Sequence, residues 1–148
     1  MAKCAVILAS HGFMAVEAVN SAGMILGDQP KNVDVVSVTP DKSYEECLDE
    51  LHQKYEALDT TNGCLMFTDI YGGTPANIAS YLSIEHPNDV VVFSGLNLPV
   101  LLEIFLDMNS DLKELEKKIE TLIPTVCVNV SKKIKERMEE DADQMCSY

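Results

Sequence analysis

The chain has 148 residues, 47% hydrophobic and 24% charged, with a formal net charge of -13 and a pI near 4.4. That acidity argues against nonspecific binding to nucleic acid, whose phosphates need Lys and Arg partners, and no apolar run nears the roughly 20 residues of a membrane span. The five cysteines (Cys4, Cys47, Cys64, Cys127, Cys146) are odd in number and include no C-x-x-C pair, which argues against a disulfide framework or a zinc site and fits a reducing cytoplasm. Cys4, Cys64 and Cys127 lie inside apolar runs and are read as small hydrophobes. The length suits a single domain over 1–148, and no linker divides it.

In chain order, "CAVILA" at 4–9 is an apolar run too short for a helix, and 13–26 places its apolar residues at helical spacing. "VDVVSV" at 33–38 is β-branched, and Ser43 with Glu46 forms a capping box that opens the next helix. "CLMFT" at 64–68 reads as a third buried strand; after it Thr74 is the expected N-cap and Pro75 the first helical residue of a helix reaching Leu82. "VVVFSG" at 90–95 is a fourth strand, the loop "LNLP" leads into a helical "VLLEIFLDM", and "DLKELEKKIETLI" is a further helix. "TVCVNV" after Pro124 is expected to be a fifth strand, and from Lys132 a helical tail places Ile134, Met138, Ala142 and Met145 on one side, by which it should dock. Near-continuous apolar strands alternating with helices define an α/β three-layer sandwich with a mostly parallel sheet.

In such sheets ligands bind beyond the carboxyl ends of the strands, where strand order reverses. The first strand ends in Ser10-His11-Gly12, the third in "TDIYGGT" and the fourth in "SGLNLP". With β1 and β3 as neighbours, His11 and Asp69 would face one another. A carboxylate that takes the second ring nitrogen of a histidine fixes its tautomer and makes the free nitrogen more nucleophilic. Gly72 and Gly73 would let the backbone turn tightly, and Thr74 with the amides at the helix start would bind phosphoryl oxygens. The plainer readings are a structural histidine, a turn-forming acid and a loop-shaping Asn97. His52 and His86 lie away from strand ends and are read as surface residues, and the Asn129-Val-Ser131 sequon is read as incidental.

Together "ILASHGFMAVEAVNSAGMILG", "TDIYGGTPAN" and "SGLNLPVLLE" resemble the motif regions of the mannose-family enzyme IIA of the bacterial phosphoenolpyruvate-dependent sugar phosphotransferase system, over about residues 1–125. The resemblance implies strand order 2-1-3-4, a phosphohistidine on the ε nitrogen of His11, support of its ring by Asp69, and Thr74 as the turn hydroxyl. Ser10 and Asn97 would flank the site, with Leu96 and Leu98 in the same loop. It further implies a donor, the histidine-containing phosphocarrier protein; an acceptor, enzyme IIB; membrane components IIC and IID downstream; and a homodimer that covers a sheet edge. No metal or other cofactor is implied, and the missing IIB motif suggests a standalone carrier. Tyr71 stands where another kind of aromatic can occur, and the segment from Thr125 is less familial. Rival readings are a phosphocarrier subunit for a dihydroxyacetone kinase and a noncatalytic regulatory domain of the same fold. A flavodoxin-like module would want Ser and Thr in the first loop, and a receiver domain an acidic pair there; Ser10-His11-Gly12-Phe13 offers neither.

Overall fold

In the computed structural model, which describes residues 3–147, strands and helices alternate through the first four strands. The order is β1 (Ala5–His11), α1 (Met14–Leu26), β2 (Val33–Val38), α2 (Tyr44–Ala57), β3 (Cys64–Thr68), α3 (Thr74–Glu85), β4 (Val90–Ser94), α4 (Leu98–Leu106), α5 (Leu112–Leu122), a 3-10 turn (Ile123–Thr125) and α6 (Val130–Met145). The four strands form one parallel sheet in the order β2-β1-β3-β4. Helices cover both faces, so alternate residues of each strand enter different cores. Cys4, Val6, Leu8, Leu65 and Phe67 pack with α1, α4 and α5, whereas Ala5, Ile7, Ala9, Cys64 and Met66 pack with α2 and α3. Fully buried side chains such as Phe67, Ile7 and Leu65 each contribute about 1.5–3 kcal/mol.

Local chemistry sets the helix boundaries. The Ser43 hydroxyl accepts the Glu46 amide while the Glu46 carboxylate accepts the Ser43 amide, completing the capping box of α2. Asn97 and Asp111 cap α4 and α5 in the same one-sided way, through Val100 and Glu114 amides at 3.0 and 2.9 Å. The cap at Asn97 starts α4 two residues before the sequence pattern suggests.

The sheet's two edges differ. The outward carbonyls of Val35 and Ser37 on β2 accept from the Lys54 and Lys42 ammonium groups, which blunts that edge. Among the described residues β4 pairs only with β3, and an open groove of about 660 Å³ runs along it past Val90, Val91 and Val92.

Two expectations fail beyond residue 122. The fifth strand is absent among the described residues: Pro124 lies in the 3-10 turn, and the Asn129 side chain accepts the Lys132 amide at 3.0 Å, so the helix captures the end of the run. The apolar stripe of α6 does not dock either, since none of its residues is buried. No helix among the described residues is long and apolar enough to cross a membrane.

Candidate functional site

β1 ends at His11 and β3 at Thr68, with Ala9 and Thr68 the last register pair between them. Asp69 extends the ladder one step, its amide donating to the Ala9 carbonyl at 3.3 Å, and its carboxylate then turns back onto β1. Oδ2 accepts the His11 main-chain N–H at 2.9 Å and lies 2.8 Å from His11 Nδ1, while Oδ1 accepts the Ile70 amide at 2.9 Å. A carboxylate can only accept, so Nδ1 carries the ring proton and the lone pair of a neutral ring resides on Nε2. The His11 side chain is 48% exposed and that of Asp69 only 9%, which leaves the ring open and its support sheltered. Burial opposes the Asp69 anion, but hydrogen bonds from the His11 amide, the His11 ring and the Ile70 amide outweigh it and hold the carboxyl below its ordinary range.

The turn after Asp69 fits the ring closely. Gly72 has φ of 84°, the left-handed region where a side chain is strained, with open space around it. Gly73 has an ordinary φ of -85°, yet a Cβ there would lie 2.7 Å from His11 Cε1 and 3.3 Å from Nε2. One glycine serves the turn and the other makes room for the imidazole. Gly73, not Thr74, is the N-cap of α3; Thr74 is the first helical residue and Pro75 the second. No side chain caps this helix; Pro75 has no N–H and the Asn77 amide donates to the Gly73 carbonyl at 2.9 Å, so the Thr74 and Ala76 amides are the donors at the helix start, beside the edge of the ring that carries Nε2.

Ser10 and Asn97 are structural neighbours of the site. Ser10 is fully buried, and its hydroxyl accepts the Ala15 amide at 2.9 Å and donates to the Gly12 carbonyl at 3.4 Å, pinning the turn from His11 into α1. Asn97 uses its oxygen to cap α4 and its amide to reach the Gly95 carbonyl at 3.0 Å, and its loop abuts Met14 across a shallow groove. Sequence reasoning passed over one contact, the 2.7 Å hydrogen bond between the Thr68 and Ser94 hydroxyls. Its signal is that hydroxyl residues end two neighbouring strands in register, Thr68 against Ser94.

The other histidines are half-buried rather than surface residues. His52 Nε2 meets Glu85 at 2.6 Å and Nδ1 the Leu48 carbonyl at 3.0 Å, and the His86 ring packs on Tyr55 with centroids 4.7 Å apart. Cys4, Cys47 and Cys64 are buried as small hydrophobes, but Cys127 is exposed because its expected strand does not form.

Phe13, Met14, Ile70 and Tyr71 are exposed apolar side chains beside His11 and Asp69 in the chain, Tyr71 almost wholly so. An exposed imidazole backed by a sheltered carboxylate, beside a helix start and exposed apolar side chains at the carboxyl end of a parallel sheet, defines the class: an α/β protein with its candidate site at the strand ends. The family model described as "PTS system fructose IIA component" matches residues 5–122, and the chain belongs to that family. The "PTS system fructose-specific EIIA component" of Bacillus subtilis (strain 168) is 31% identical over 112 residues, 74% of this chain and 75% of that protein. The "PTS system mannose-specific EIIAB component" of Escherichia coli (strain K12) is also 31% identical, over 107 residues; the match takes in 72% of this chain and only 32% of that longer protein. Among solved structures, phosphotransferase system component EIIA from Streptococcus agalactiae superposes with a TM-score of 0.78 at 28% identity, over 87% of this chain and 98% of that one. The mannose/sorbose-specific IIA subunit from Enterococcus faecalis gives a TM-score of 0.77 at 26% identity, over 86% and 94%. Membership in a sugar phosphotransferase IIA family supports a phosphoryl-carrier role in general.

Proposed function

We propose that His11 Nε2 accepts a phosphoryl group from the phosphohistidine of the histidine-containing phosphocarrier protein and passes it to an enzyme IIB during sugar uptake. One observation carries this reading: a single carboxylate oxygen of Asp69 holds both the His11 amide and Nδ1, leaving Nε2 free and exposed. As the Nε2–P bond forms, the donor's N–P bond breaks, and the Asp69 anion stabilises the positive charge that the ring acquires. The Thr74 and Ala76 amides and the Thr74 hydroxyl bind the equatorial oxygens, so positioning and fixed dipoles do the work. The exposed apolar residues near His11 suit a protein donor and a protein acceptor, each docking in turn.

Incubation with phosphoenolpyruvate, enzyme I and the phosphocarrier protein should place acid-labile phosphate on His11, mapped by mass spectrometry under mild alkaline conditions. His11→Ala should abolish labelling. Asp69→Asn should stay folded and slow it by at least about 10–100-fold, the loss seen when a carboxylate behind a metal-bound histidine is removed. Labelling of His11→Ala equal to wild type ends the proposal. A homodimer belongs to the same reading, because the open β4 edge invites a second copy; a concentration-independent monomer mass in light scattering refutes that part.

A further inference from the structure

α6 carries a charge pattern that runs against its own dipole. Its basic residues, Lys132, Lys133, Lys135 and Arg137, stand in the first half; Glu139, Glu140, Asp141 and Asp143 stand in the second, with Glu136 the one acid among the bases. This opposes the helix macrodipole, which favours acids at the N-terminus and bases at the C-terminus. There is no acid in the first turn and no base in the last, and the ion pair found within the helix is Lys132–Glu136 at 3.9 Å. A helix of 16 residues with no buried side chain is marginal in water. The chain nevertheless gives it an apolar stripe of Ile134, Met138, Ala142 and Met145, in which Ile134, Met138 and Met145 are exposed.

We infer that α6 pairs antiparallel with α6 of a second copy of this chain, crossing at Met138. With about 3.6 residues per turn, Lys135 and Glu139 flank one side of the stripe and Arg137 and Asp141 the other. A two-fold, antiparallel arrangement through Met138 sets Lys135 against Glu139 of the second copy and Arg137 against its Asp141, and it places Ile134 against Ala142. A parallel arrangement brings Lys135 beside Arg137 and Glu139 beside Asp141, like against like. The antiparallel pair also opposes the two helix dipoles. Charge segregated against the dipole of one helix is thus self-complementary between two, and the same pattern rejects the wrong orientation. α6 lies outside residues 5–122, so this surface is separate from the matched family region, from the β4 edge and from the chemistry of His11.

The test uses the full chain with Cys127→Ser and Cys146→Ser, which remove the exposed thiols, and Met138→Cys as a reporter. Mild oxidation should join two copies through position 138. In that background an acidic form (Lys135→Glu, Arg137→Glu) and a basic form (Glu139→Lys, Asp141→Lys) should each cross-link about tenfold less or worse, and a mixture of the two should regain the cross-link as a heterodimer. Recovery on mixing shows that both forms fold. No cross-link in the reporter background, equal cross-linking by either charge form alone, or no recovery on mixing overturns the inference; docking of α6 on its own body or on another protein produces the first of these results.

Discussion

At the scale of single residues, the adjacent glycines of the site are required for different reasons, and substitution separates them. Gly73→Ala drives a methyl group into the His11 ring without straining the main chain, so phosphoryl acceptance should fall by about 100-fold while the melting temperature moves little. Gly72→Ala meets no neighbour but occupies a left-handed turn, so it should lower stability by about 1 kcal/mol, with Gly72→Asn milder because Asn tolerates that region. Thermal melts and single-turnover labelling of the three variants check both halves. His11 and Asp69 were legible from their places after two apolar runs, because a parallel sheet brings strand ends together. The steric demand at Gly73 was not, since it depends on how far the imidazole leans over the turn.

At the scale of elements, α2 and α3 are clamped by His52 and Glu85 at 2.6 Å. The Glu85 hydrogen bond raises the His52 pKa above its ordinary 6.5, against a smaller opposing effect of burial. The stability it contributes is therefore fully present below about pH 6.5 and is lost as pH rises through the elevated folded value. His52→Gln should melt below wild type at pH 5.5 and nearly with it at pH 9; a gap unchanged across that range refutes the clamp. The four strands were readable because each is a short, largely apolar run, buried on both faces in β1 and β3 and half-buried in the edge strands β2 and β4. "TVCVNV" has the same local propensity but pairs with no strand among the described residues, even with the β4 edge open, and strand propensity alone decides little. Capping signals read well at Ser43; at Thr74 the signal was displaced by one residue because Gly73, with nothing to contribute from a side chain, occupies the cap.

At the scale of the whole molecule, the thiols divide by depth. Burial pushes Cys4 up to about 11 and Cys64 higher still, and it raises Cys47, whereas Cys127 and Cys146 are exposed. A thiol reagent at neutral pH should modify Cys127 and Cys146 rapidly and the other three only on unfolding, as peptide mapping would show; fast labelling of Cys64 in the native protein contradicts this packing. His11 and Asp69 are 58 positions apart in the chain and meet only because β1 and β3 pair. No local segment can hold the reactive ring in its productive tautomer, since loop closure over that span must come first. The tautomer that frees Nε2 therefore arrives in the same step as the central strand pairing, and a nascent or partly unfolded chain carries His11 as an unoriented imidazole.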